Sequence, residues 1–460
     1  MAANTTHPQA SQRLTPHRTP TGAGGPDNHT PMRTRWTTDK SAAKRESTKQ
    51  SSLRLSVSAV ESTGDFDPPR HAAPGTPHPT PALSNIRPKP NLPTMANPSP
   101  LHDRFDAEDA EMMAFGDAAS IVAIHDAVET EYARVRNGAA IMDCPHRGLI
   151  ELTGADRLSF LHALVSNDLQ TLAPQQGKRT FLLTAQGRIM ADMVVLHGES
   201  RTLIDIDTAD AATLVEELDK LLFSEDVQIA DVSADHHRLS LHGPKAEALL
   251  REHAVELPEL ADAGQHGELP IADVAAQALR WDVCGVAGYH LWAPATGVAA
   301  IWDRLVAADH TADAGAKPLG WLAFNMARIE GGTPLYHIDF GPDSLPGETG
   351  VADQAVSYAK GCYRGQEVIA RMKDLGHPAK VLVGFVGEGE ALPVAGTALR
   401  DAADGQTVGA VTSSTLSPMR SGRPIGLAMV KWGRHEPDTT LWAPVEAGTT
   451  QVTVSKMPFV

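Results

Sequence analysis

The segment Lys360-Gly361-Cys362-Tyr363-Arg364-Gly365-Gln366-Glu367 is the densest run of chemistry-bearing side chains in the sequence. Two glycines near the cysteine permit a tight turn from which a thiol projects. The apolar spacing of Val368, Ile369 and Met372 predicts a helix directly after it, so that Cys362 would lie near a positive helix N-terminus. Lys360 and Arg364 sit two residues to either side. Together these features favour the thiolate, the form that reacts or binds metal. The same residues also suit a small buried thiol in a loop whose glycines serve packing.

The other candidates are weaker. Cys144 and Cys284 lie far from Cys362 and from each other, with no CxxC or Cys/His ligand spacing. Three scattered cysteines make neither a disulfide framework nor a zinc or cluster site built by this chain alone, and a reducing interior suits them. The histidines likewise show no pair at ligand spacing with a carboxylate, so no metal site is expected.

The elements that must position these residues alternate between helix and strand. Apolar spacing predicts a helix over 118–137, and Arg147–Leu152 reads as a strand followed by a helix over 156–165. Arg179–Thr184 and Ile189–His197 are strand-like runs joined at Gln186-Gly187, which fits a hairpin. Leu203–Asp207 alternates as a strand, a helix follows over 209–223, and strand patterns recur at 227–232 and 238–242. A Gly- and Ala-rich loop is expected around 260–275, then strands at 278–283 and 288–292 and helices over 298–307 and 319–329. From Val381 short β runs separated by Gly and Pro suggest a small barrel or sandwich. Frequent hairpins favour an α+β fold with antiparallel sheets over a doubly wound parallel sheet.

The charge is unevenly distributed. Residues 1–94 hold 12 Lys/Arg against 6 Asp/Glu, a balance of +6, while the remainder of a −16 chain therefore carries −22. That first stretch also takes 14 of the 33 prolines, too few apolar side chains being left to offset ordering entropy, so a disordered tail is expected there. A start codon set too early, with Met95 opening the protein, would give the same pattern. So would an organelle transit peptide, although prolines at 8, 16, 20, 26 and 31 oppose an amphipathic helix. Cytoplasm is the default compartment, with the mitochondrial matrix following only from a transit peptide. No apolar run is long enough for a spanning helix, and an acidic body argues against direct nucleic-acid binding.

The octet resembles the defining motif of the YgfZ family of folate-binding proteins, relatives of the glycine cleavage system T protein, an aminomethyltransferase. Further segments are similar in the same order: Gly138–Asp143 with His146-Arg147-Gly148, Thr184–Ile189 with Asp192, Arg328-Ile329-Glu330-Gly331-Gly332, Leu345–Gly350, and Val411-Thr412-Ser413 with Ser417-Pro418. The likeness spans roughly residues 118–460. It implies a three-domain cloverleaf around a tetrahydrofolate channel with a C-terminal β-barrel. The corresponding division is a disordered tail at 1–94, α+β domains at 104–235 and 236–380, and a barrel at 381–460.

Several roles follow from that resemblance. A reduced pterin offers an aminopyrimidine edge that a carboxylate meets with two parallel hydrogen bonds, and Glu330, beside Arg328, is the candidate. An ordinary helix-terminal ion pair is the other reading of Glu330. Asp192 is the candidate second carboxylate near the folate nitrogens, or else a solvated strand residue, and Arg188 or Arg371 could meet the anionic tail. Cys362 would be the working thiol, Lys360 would tune it, and Tyr363, Gly365, Gln366 and Glu367 would shape the loop. The aminomethyltransferases carry two adjacent acidic residues where this chain has Ala191-Asp192, a departure that weakens transfer chemistry. The resemblance thus implies a non-transferase folate-binding protein that supports assembly or repair of iron–sulfur enzymes, with assembly proteins or client enzymes as partners and an indirect effect on tRNA modification. A folate-dependent one-carbon transferase is the alternative, and a scaffold that has lost folate is a third reading. Against the first, Leu345–Gly350 reads much like the transferase branch.

Overall fold

The computed structural model describes residues 98–117, 119–306, 315–446 and 448–460. The expected tail at 1–94 lies outside them. Hairpins dominate as anticipated, and the chain forms the expected α+β architecture closed by a C-terminal barrel. A five-stranded sheet runs in the order Gln176–Leu183, Ile189–His197, Thr202–Asp207, Arg147–Thr153, Gln228–Asp231, every pair antiparallel. One of its faces packs Ile150, Leu152, Leu182, Ala191, Met193, Ile204 and Ile206 under the helices Arg157–Leu164 and Thr208–Asp219. Because side chains alternate across a strand, Asp192, Val194, Asp205 and Asp207 fall on the other face.

The second sheet has six strands: His266–Ile271, Val274–Arg280, Gly288–Pro294, His236–His242, Ala140–Asp143 and Lys317–Pro318. Its Ala140–Asp143 strand comes from the N-terminal side of the five-stranded sheet, so the division at 235/236 is crossed by a strand pair. Leu149, Val194, Leu196 and Leu203 of the first sheet pack with Leu279 and Trp292 of the second, which brings the two inner faces together.

Two local expectations are corrected. The helix over 118–137 is a strand, Ala119–Ile124, followed by a shorter helix, Val128–Asn137. Ile121, Val122 and Ile124 are β-branched, and the strand pairs with Glu111–Phe115, a tertiary contact that overrides the 3.6-residue pattern. Glu131 fixes the break by accepting from the backbone N–H groups of His125 and Asp126. The loop at 260–275 contains most of a hairpin, His266–Ile271 with Val274–Arg280, turned by Ala272 and Asp273 at positive φ.

The barrel closes through six strands in the order Lys380–Gly387, Arg423–Lys431, Thr407–Ser417, Ala398–Arg400, Thr440–Val445, Gly448–Ser455. No helix among the described residues is long and apolar enough to cross a membrane.

Candidate functional site

Between the facing sheets lies a cavity of about 110 Å³ lined by Arg147, Arg179, Asp192, Asp205, Asp207, Arg238 and His290, with Phe115, Trp281, Trp321, Phe324 and Tyr336 among its aromatic walls. Strand register explains the first pair. Phe181 lies opposite Asp192 and Arg179 opposite Val194, so Arg179 and Asp192 are diagonal neighbours on one face. The guanidinium grips the carboxylate with both arms, Nε to Oδ1 at 2.8 Å and Nη2 to Oδ2 at 2.5 Å.

Deeper in, Asp205 is 1% exposed and takes bonds from two guanidiniums. Arg147 donates to Oδ1 at 2.7 Å, Arg238 donates to Oδ2 at 2.8 Å, and His290 stands 3.7 Å from Oδ2. Burial would push the Asp205 carboxyl up, but Arg147 and Arg238 outweigh it and hold it well below the usual range. Burial, with Arg238 adding, pushes His290 down to about 4, so the imidazole is neutral. Asp207 caps the Thr208–Asp219 helix by accepting from the N–H of Ala209, and burial raises its pKa. Tyr336 closes one wall by donating to the carbonyls of Ile189 and Met190 at 3.2 and 3.4 Å. Two atoms of lining residues, His146 Nδ1 and Arg238 Nε, are shielded from solvent and have no hydrogen-bond partner among the described residues. Aromatic walls beside paired charges suit a flat, polar heterocycle.

The residues singled out from sequence are scattered by the fold. Asp192 lines the cavity. Glu330 does not: it is 0% exposed, and Tyr132 at 2.6 Å, Arg136 at 2.5 Å and Ser417 occupy its carboxylate. Arg328 is not its partner either, because Arg328 is buried against Asp339 at 2.5 Å and Ser413 at 2.6 Å. Both residues tie the Trp321–Glu330 helix to the barrel, since Ser413 and Ser417 belong to a barrel strand. Arg188 donates to the carbonyl of Asp343, and Arg371 pairs with Glu367 on the surface; neither lines the cavity.

The octet loop is likewise organised differently from the expectation. Cys362 is exposed, and the following helix begins at Gln366 with Gly365 as its left-handed cap, φ 80°. Neither flanking cation is spent on the thiol. Lys360 donates to the carbonyls of His162, Val165 and Asn167 and so closes the end of the Arg157–Leu164 helix. Burial pushes its ammonium down to about 8. Arg364 stands 3.5 Å from Glu217. Gln366 donates to the carbonyls of Lys360 and Gly361, while Tyr363 is buried with Phe181, Ile189 and Phe340. Gly365 meets the tip of the cavity hairpin, where an added Cβ would lie 2.6 Å from the carbonyl of Thr184. No group of three or more His, Cys, Asp or Glu among the described residues could hold a metal ion.

Asp205, Arg179, Arg238 and His290 were not singled out from sequence, and His146 and Arg147 were named only as part of a segment similar to the family, not as site candidates. One signal was available: charged residues at alternating positions of otherwise apolar strands, as in Leu203-Ile204-Asp205-Ile206-Asp207. Size does not mark the site. A larger depression of about 730 Å³, bordered by Glu199, Arg201, Glu256, Glu259 and Glu268, contains none of these charge clusters.

Residues 101–360 match the family model described as GCVT N-terminal domain, and residues 380–460 match the glycine cleavage T-protein C-terminal barrel domain. An aminomethyltransferase of Frankia alni is 32% identical over 371 residues, covering 79% of this chain and 97% of that protein. The aminomethyltransferase of Bacillus subtilis is 28% identical over 371 residues, covering 79% and 99%. The crystal structure of glycine cleavage system aminomethyltransferase T from Bartonella henselae superposes with a TM-score of 0.70 at 23% identity, covering 78% of this chain and 97% of that one.

Proposed function

The chain belongs to the glycine cleavage T-protein family, and we propose that it binds the head of a tetrahydrofolate in the cavity between its two sheets and acts in folate-dependent one-carbon transfer of the aminomethyltransferase kind. The observation that carries this reading is the Asp192–Arg179 pair set on an aromatic-walled cavity. The full-length relatives, covered to 97% and 99%, support it.

A reduced folate supplies ring and bridge nitrogens that accept a one-carbon unit. The chain's own residues hold and orient it. Trp281, Trp321, Phe324 and Tyr336 offer stacking surfaces and keep water from the ring. Asp192 offers a carboxylate fixed in place by Arg179, which suits electrostatic stabilisation of positive charge developing at a folate nitrogen. The same grip leaves it poorly suited to a mobile base. Ala191 cannot help, because strand alternation turns it into the opposite, apolar face.

A second reading is favoured by one observation. In it the protein is of the YgfZ kind, binds folate without transferring the one-carbon unit, and supports iron–sulfur enzymes through the exposed Cys362 of the octet. The lone, gripped Asp192 fits this reading too.

Titration with tetrahydrofolate and an aminomethyl-transfer assay, each on wild type, Asp192→Asn and Cys362→Ala, separate the two. The transfer reading expects folate-dependent turnover that falls at least about 100-fold in Asp192→Asn, given the usual contribution of one positioned electrostatic group, with Cys362→Ala near wild type. No turnover with folate binding intact, together with lost support of iron–sulfur enzymes in Cys362→Ala cells, would replace it by the second reading. Absence of any thermal stabilisation by tetrahydrofolate would remove both, since a ligand bound to the native state must stabilise it.

A further inference from the structure

The segment 333–340 crosses one wall of the cavity as a strap, with Thr333, Pro334, Leu335 and Tyr336 among the lining residues. Both of its ends are tied down. Thr333 Oγ1 donates to the carbonyl of Val283 at 2.7 Å, and Asp339 accepts from buried Arg328 and from barrel Ser413. Between these anchors His337 takes φ 64°, a left-handed conformation that a residue with a Cβ adopts at a cost some contact must offset. Its ring packs on Tyr336 with centroids 4.1 Å apart, and its Nε2 meets Asp210 Oδ2 at 2.8 Å. Asp210 lies in the first turn of the Thr208–Asp219 helix, and among the described residues this is the one ion pair between that helix and the strap.

A histidine facing a carboxylate changes charge near neutral pH. We propose that His337 and Asp210 form a pH-sensitive clasp that holds the strap against the cavity wall, closed while the imidazole is protonated and loosened when it loses its charge. The neighbouring charges leave Asp210 as the partner. Asp192 also acts on His337 but is gripped by Arg179, and Asp207 does so while facing Arg147. Asp343, further along the same loop, acts on Tyr336. Burial lowers the pKa of His337 and the positive helix end opposes a cation, yet Asp210, with Asp207 and Asp192 behind it, raises it above the ordinary 6.5. Folding therefore gains from His337 below pH 6.5 and loses that gain as pH rises through the raised value of the folded state. A neutral imidazole can still donate from Nε2, so the clasp weakens without parting. The His337 side chain is 36% exposed, which keeps the effect modest.

Amide exchange of the full chain, followed from pH 6 to 8.5 and corrected for the intrinsic rate at each pH, reads the clasp. His290 and His266, at about 4, are already neutral throughout this range. The amides of Leu335, Ile338 and Asp339 carry hydrogen bonds inside the strap. Their protection should fall about two- to fivefold across a midpoint above 6.5, the scale of a partly exposed ion pair. Asp210→Asn keeps an acceptor without the charge, and His337→Gly takes φ 64° freely, so each should abolish the step. A wild type that shows no step overturns the inference without needing any variant, and so does a step that survives in either variant. The measurement needs no ligand, so its outcome is separate from the folate reading.

Discussion

Glu330 separates a ligand-binding role from a structural one, and replacing it by Ala decides between them. The carboxylate is fully buried and holds Arg136, itself 8% exposed, at 2.5 Å, with Tyr132 at 2.6 Å and barrel Ser417 completing its shell. Removing one partner of a buried pair leaves the other charge stranded, at a cost of about 3–5 kcal/mol. Arg136 retains the carbonyls of Cys284 at 2.7 Å and Ala327 at 3.2 Å, which solvate part of its charge and favour the lower end, about 3 kcal/mol. Loss of the Tyr132 and Ser417 bonds adds about 1 kcal/mol each. Urea denaturation should therefore show Glu330→Ala destabilised by about 4–5 kcal/mol with an unchanged m-value. Ligand affinity in the folded fraction should stay within about threefold, because Glu330 does not line the cavity. A variant of near-normal stability that loses tetrahydrofolate binding would refute the reasoning and return Glu330 to the ligand.

Two further outcomes are expected. Burial holds both His290 and His266 at about 4, against an ordinary 6.5. The unfolded chain therefore binds more protons between pH 6.5 and 4, and stability falls as pH drops through that window, by about 3 kcal/mol per histidine at 1.36 kcal/mol per pKa unit. Denaturation curves at pH 7, 5.5 and 4.5 should show this slope, and a flat profile would contradict it. Gly365→Ala should destabilise the octet loop by about 1–3 kcal/mol, since φ is 80° and its Cβ would meet the Thr184 carbonyl at 2.6 Å. Faster amide exchange across 360–370 in that variant would be the direct readout.

Much of the fold was legible because its signals are local. Arg179–Thr184 and Ile189–His197 read as a hairpin from alternation and the Gly187 turn, and the C-terminal β runs read as a barrel or sandwich from their Gly and Pro punctuation. The errors came where a partner distant in sequence decided. Ala119–Ile124 has helical apolar spacing yet pairs as a strand with Glu111–Phe115, and His266–Ile271 looked like loop until a sheet supplied its neighbour.

The candidate site divides along the same line. Sequence determined that the octet around Cys362 is exceptional, that Asp192 stands alone on its hairpin beside an alanine, and that the body is acidic. It could not tell which charges meet. Arg238, Asp205, Arg147 and His290 come from four strands in two sheets, and strand alternation only says that a side chain leaves on one face or the other. Which face becomes an interior is decided by sheet packing. Only the tertiary structure turned Glu330 and Arg328 toward the barrel, and only it carried Lys360 away from Cys362 to the end of a helix. A buried charge must be answered by whatever the fold brings within about 3 Å, and no local pattern encodes that neighbour.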